Sequence, residues 1–102
     1  MEEVEFRISL HLSLQRALLG EVYPSIRAVA YESDDLKRLK IIYYLDREPN
    51  DMDYESLSDV CGEVLADLNF EKVEQICEYT LKPFSTLAGN SNLVYRRKEY
   101  QQ

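Results

Sequence analysis

Between Pro49 and Leu68 the chain carries a pattern that an amphipathic helix satisfies and a strand does not. Leu57, Val60, Cys61, Val64, Leu65 and Leu68 recur at three- and four-residue spacing, so they line one helical face. Asp51, Glu55, Asp59, Glu63 and Asp67 form an i, i+4 row that no Lys or Arg interrupts. At about 100° per residue that row drifts around the helix without entering the apolar arc. Asn50, after Pro49, is the expected N-cap, and Asp53 three positions on can complete a shortened capping box. Asp51, Asp53 and Glu55 also gain from the positive end of the helix dipole. Asp59, Glu63 and Asp67 have no such support, and like charges at this spacing repel by roughly 0.2–0.5 kcal/mol per pair. The outer face is either a solvated surface or an electronegative face that focuses its field on a basic partner.

The remaining elements must supply an apolar surface for this helix. Residues 3–19 begin with strand-like alternation, Phe6, Ile8, Leu10, Leu12 and Leu14, but Phe6, Leu10, Leu14, Ala17 and Leu18 continue at helical spacing. Arg16 suits a last turn and Gly20 a left-handed position just past a helix end, so a helix is expected, with Ser9, Ser13 and Arg16 turned outward. Beyond Pro24, residues 25–31 read as a strand, Glu32-Ser33-Asp34-Asp35 as a polar turn, and residues 39–45 as the clearest strand, the two forming an antiparallel hairpin. On the second strand Leu39, Ile41, Tyr43 and Leu45 share the face expected to meet the helices. Lys40, Ile42, Tyr44 and Asp46 share the other, which leaves Ile42 and Tyr44 on a face that the helices need not cover. Residues 73–81 return as a strand with Val73, Cys77, Tyr79 and Leu81 toward the core, ended by Lys82-Pro83. Residues 84–92, with Gly89 and two Asn, read as a loop, residues 93–99 as a basic last strand, and Gln101-Gln102 as a frayed end.

The expected fold is therefore α+β, in the order αββαββ, a single domain over residues 1–102 with a four-stranded, mostly antiparallel sheet and two helices on one face. A chain of 102 residues is long enough for one core without staples. Its net charge of -7 opposes binding to a nucleic acid backbone and favours a basic protein partner. The acidic start Met1-Glu2-Glu3-Val4-Glu5 is unlike a signal peptide, and no apolar run approaches membrane-spanning length, so no membrane association and a cytoplasmic location are expected.

The sequence carries no signature of catalysis, and no metal or cofactor is expected. Gly20, Gly62 and Gly89 are isolated and none precedes a Lys-Ser or Lys-Thr pair. Asp51, Asp53 and Glu55 have the spacing that opens a calcium loop, but the required Gly and the closing Glu are missing, and capping explains them. Cys61 and Cys77 fit neither a disulfide framework nor a zinc spacing and read as small core residues. His11, the sole histidine, has no second His and no neighbouring nucleophile. In the run Arg96-Arg97-Lys98, Arg97 shares a face with Tyr95; the charges either blunt an edge strand or make an internal ion pair or partner contact.

Three stretches, Gln15-Arg16-Ala17-Leu18-Leu19-Gly20, then Tyr44-Leu45-Asp46-Arg47-Glu48-Pro49 followed by Asp53-Tyr54-Glu55, and Val94-Tyr95-Arg96-Arg97-Lys98-Glu99, span most of the chain. Together they resemble small bacterial immunity-type proteins of contact-dependent and polymorphic toxin systems. The resemblance implies a protein that binds and neutralises a cognate toxin domain, often a nuclease. The residues expected to contact such a basic toxin are Glu48, Asp51, Glu55, Asp59, Glu63 and Asp67, with Tyr44 as an aromatic anchor. The alternative is a self-associating structural or regulatory protein without a toxin partner, a homodimer joined through Ile42 and Tyr44.

Overall fold

The computed structural model describes residues 3–34, 37–87 and 92–99. Asp35 of the expected turn, Gly89 and Asn90 of the expected loop, and Gln101-Gln102 lie outside the described residues. The elements run α1 (Glu3–Ala17), β1 (Ile26–Asp34), β2 (Arg38–Leu45), α2 (Asp51–Asp67), β3 (Lys72–Tyr79), a short 3-10 turn (Phe84–Thr86) and β4 (Leu93–Arg96). The expected αββαββ order is the one observed, and the strands form one sheet in the order β3-β2-β1-β4.

β1 is antiparallel to both β2 and β4, whereas β2 and β3 are parallel. The parallel pair follows from α2: a helix between two neighbouring strands carries the chain back to the end at which β2 began. The β1–β2 hairpin is longer than the sequence suggests. Glu32, Ser33 and Asp34 pair with Lys40, Leu39 and Arg38 instead of turning, and the Lys40 ammonium lies 3.6 Å from the Glu32 carboxylate. Gly20, with φ of 81°, occupies the expected left-handed position after α1.

A β-bulge shapes the middle of the sheet. Ile26 pairs with Leu45 and Ala28 with Tyr44, so Arg27 is the extra residue on β1. The bulge shifts the alternation: Ile26 and Val29 face the helices, while Ala28 and Ala30 face the opposite side. A second irregularity, between the Val29–Tyr95 and Ala30–Leu93 pairs, lets Val94 and Tyr95 both pack on the helix side.

Two apolar clusters result. The larger joins Phe6, Leu10 and Leu14 of α1, Leu57, Val60 and Val64 of α2, and Leu39, Ile41, Tyr43 and Leu45 of β2. The smaller sits on the other face and corrects an expectation: Ile42 and Tyr44 are only 4% and 1% exposed. They stand beside the small Ala30 and Ala28 on β1, and the ledge so formed is filled by Leu87, Phe84, Ile76 and Leu93. The segment after β3 is thus a strap across the second face, and a homodimer through Ile42 and Tyr44 has no open surface to use.

Three further expectations change. Ser13 faces inward, buried between the helices. Tyr79 and Leu81 are exposed, because β2 ends at Leu45, opposite Tyr79, and the chain beyond has no sheet partner to pack with; Val73 and Cys77 do pack inward. Leu65 is exposed at the margin of the α2 apolar arc. Cys61 and Cys77 are both buried and free.

Candidate functional site

The position of α2 is set at its N-terminus. The Asn50 side chain accepts from the Met52 and Asp53 amides, and Asp53 accepts in return from the Asn50 amide, completing the expected capping box. Asp53 also receives two bonds from the Arg47 guanidinium, 2.7 and 2.9 Å, and one from the Tyr23 hydroxyl. The carboxylate is fully buried. Bonds from Arg47, then from Tyr23 and the Asn50 amide, outweigh burial and hold its pKa down to about 2. One turn later the Ser56 hydroxyl lies 3.0 Å from the Tyr43 hydroxyl and donates to Glu21. The helix is fixed in rotation as well as in place.

With that rotation set, Asp51, Glu55, Asp59 and Glu63 point to solvent, and none of their side chains has a hydrogen bond or ion pair to any described residue. Asp67 is different. Its Oδ2 accepts from the Ser13 hydroxyl at 2.7 Å and from Arg16 at 2.9 Å, and these bonds lower its pKa. The row turns by about 40° every four residues, so its fifth member reaches the flank that meets α1. Glu48 is exposed just before the helix, with its carbonyl oxygen accepting from Arg47. Tyr44 is not beside these carboxylates but beneath the strap on the far face of the sheet.

The exposed aromatic next to the row is Tyr54. It lies with Leu65 on the flank toward β3, which is marked by the bond from Ser58 to Gln75 at 2.8 Å. Helical spacing could have found Tyr54, since it follows Asn50 by four and precedes Ser58 by four. At the centre of the outer face stands Gly62, where an added Cβ would meet nothing within 4 Å. A mid-helix glycine that no internal contact requires leaves a low point in the acidic surface.

A cleft of about 720 Å³ opens at the end of the sheet where β2 runs out toward α2, lined by Arg27, Leu81, Pro83, Phe84 and residues 96–99. Two of its arginines, Arg27 and Arg97, are occupied by internal bonds. Arg27 donates to both Glu99 carboxylate oxygens and to the Thr80 and Lys82 carbonyls. Arg97 donates to the Pro24 carbonyl, Asp46 and Glu99. Arg27 and Arg97 together hold the Glu99 pKa down to about 2. Of the readings open for the basic run, Arg97 takes the internal ion pair. Arg96 packs over the Phe84 ring, which Arg27 also faces.

The groups that could do chemistry are poorly placed for it. Burial pushes the Cys61 thiol up to about 11 and that of Cys77 up to about 12, so both stay protonated near neutral pH. His11 packs edge-on against Tyr31 at 6.1 Å. Among the described residues no three His, Cys, Asp or Glu side chains come together as metal ligands, and no helix is long and apolar enough to cross a membrane.

Comparison with known proteins adds one finding. The family model described as MafI2 immunity protein matches residues 7–99, from the first turns of α1 to Glu99. No curated protein matches the chain.

Proposed function

This chain belongs to the MafI2 immunity protein family, and from that premise we propose that it binds its cognate toxin through the outer face of α2. One observation supports the choice of face: Asp51, Glu55, Asp59 and Glu63 are exposed together and make no internal pair, in a protein of net charge -7. Along a helix these charges rise about 6 Å apart. A regular line of negative charge is what a groove built for nucleic acid receives, so the toxin class that fits best is a nuclease with a basic cleft. Glu48 extends the line at its start, Asp67 closes it, and Tyr54 with Leu65 supplies apolar contact at its edge.

Protection by this route requires only occupancy of the toxin cleft and no catalysis by the immunity protein. It would take place in the cytoplasm, where a nuclease finds its substrate. The test is association with the purified cognate toxin domain at low and moderate salt, using Asp59→Lys combined with Glu63→Lys. The double reversal should slow association at low salt by at least about ten-fold and weaken protection of cells that express the toxin, because charges at an interface act mainly on the encounter rate. An unchanged rate at low salt would remove this face from the interface.

A further inference from the structure

The two edges of the sheet are built differently. β4 has four residues, pairs irregularly with β1 and runs into Arg96, Arg97 and Lys98, a short and basic edge of the kind that resists further pairing. β3 has eight residues, pairs with β2 without a register shift and contains no proline; its one lysine, Lys72, stands at its first position. The Lys72 amide donates to the Lys37 carbonyl and the Thr80 amide to the Leu45 carbonyl, so the even-numbered residues of this strand bond toward β2. Val73, Gln75, Cys77 and Tyr79 therefore aim their N–H and C=O groups away from the sheet, and among the described residues no strand pairs with them. A long, regular and open edge is a template for one more strand.

We propose that a strand of the toxin, alternating basic with apolar side chains, adds to the free edge of β3. The inference rests on the reading of a toxin as the partner and adds how that partner is held. The two faces of the sheet specify the alternation. Val73 and Cys77 pack on the helix side and Ile76 on the strap side, so Gln75 and Tyr79 flank the edge on the first face and Glu74 and Glu78 on the second. Glu74 and Glu78 are exposed, and neither has a hydrogen bond or ion pair to any described residue. On the helix side Tyr79 is exposed, as are Tyr54 and Leu65 on the adjoining flank of α2. Side chains of an added strand thus meet carboxylates on one face and aromatic and aliphatic groups on the other. A second copy would bring the same carboxylates to this edge and set two chains of net charge -7 side by side, whereas a basic strand meets opposite charge. The flank of α2 joins the edge to the acidic row, so one toxin surface reaches both.

Amide hydrogen exchange, resolved by residue in the full chain, tests the added strand directly. In the free protein the outward amides of Gln75, Cys77 and Tyr79 should exchange fast and the inward amides of Glu74, Ile76 and Glu78 slowly. Binding of the purified cognate toxin domain should slow the outward set at least about ten-fold. Gln75→Pro removes an outward donor but no bond to β2. It should weaken toxin binding at least about ten-fold relative to Gln75→Ala, which shares its loss of the Ser58 contact. Glu74→Lys combined with Glu78→Lys should slow association at low salt by about ten-fold. A toxin that binds and leaves the outward amides fast overturns the added strand while the toxin reading stands, as does equal affinity of the proline and alanine variants. A toxin that fails to associate overturns the toxin reading itself. Outward amides that slow as the chain is concentrated without toxin give the edge to a second copy and overturn the toxin as its occupant. Association unchanged by the double reversal overturns the basic character of the strand.

Discussion

The two helices lie on the same face of one sheet and meet the same packing demand, yet their outer faces have little in common. α2 turns four unpaired carboxylates outward, and α1 turns out Val4, Ile8 and Leu12. A core asks a surface helix for one apolar stripe and leaves the opposite side free. α2 departs from an ordinary mixed surface by charge of a single sign, α1 by an apolar ridge exposed among the charges of Glu5, Arg7 and Arg16. Each departure costs something in the isolated chain: repulsion along α2, apolar exposure along α1. The difference teaches that the inner faces build the fold, while the outer faces are left free to differ, because packing on the sheet makes no demand on them.

The comparison can be broken most strongly at Asp53, the anchor that α2 has and α1 lacks. Asp53→Ala would leave the Arg47 guanidinium and the Tyr23 hydroxyl without their acceptor and open the capping box. A loss of about 3 kcal/mol is expected in urea unfolding, from the helix cap and the hydrogen bonds that Asp53 accepts, since the Arg47 left behind reaches solvent. A loss below about 1 kcal/mol would mean that α2 is held by its apolar stripe alone, as α1 is.

Acid tests the same anchor without mutation. Asp53 is depressed from 3.8 to about 2 and Glu99 from 4.5 to about 2. A depressed carboxyl stabilises the fold above its unfolded pKa, and the unfolded chain takes up protons first as the pH falls. Stability should therefore be full above about pH 5 and decline toward pH 2, with Asp53 alone contributing about 2 kcal/mol. Urea midpoints measured across that range should fall steeply in the parent and less in Asp53→Asn, which has no charge to lose there.

The smallest expected effect sharpens the contrast on the outer side. Gly62→Ala adds a methyl group where nothing lies within 4 Å. It should raise stability by about 0.4–1 kcal/mol, since alanine has fewer unfolded conformations to lose and suits a helix better. If the toxin backbone approaches α2 at this low point, the same variant should bind more weakly. Raised stability with unchanged binding would place the contact elsewhere along the row.

Much of this was legible because it is local. The bounds of α2, its Asn50–Asp53 capping box and the left-handed Gly20 follow from spacing and residue type over a few positions. The acidic row was equally plain, but not the departure of Asp67 from it, because that carboxylate is claimed by Ser13 and Arg16, more than 50 residues away. Ser13 departs from expectation for the same reason: in sequence it is a polar residue on a helix, and only the neighbouring helix supplies the acceptor that lets it be buried. Strand alternation places Tyr44 opposite the helices, and alternation is silent about what covers that side, so the strap over it is invisible in the sequence.

The sequence by itself determined the order of elements, the α+β class and the single-sign charge of one helix, since these depend on periodicity and composition that survive in any arrangement of the chain. The tertiary structure alone decided which faces stay open. Residues 84–87 close the second face of the sheet over Ile42 and Tyr44, the Arg27 bulge sets which β1 side chains look toward the helices, and the rotation of α1 leaves Val4, Ile8 and Leu12 outside. The physical reason is that burial belongs to pairs of surfaces. An apolar side chain carries its cost of exposure wherever it sits, but whether that cost is relieved depends on a partner surface far away in the chain or on another molecule.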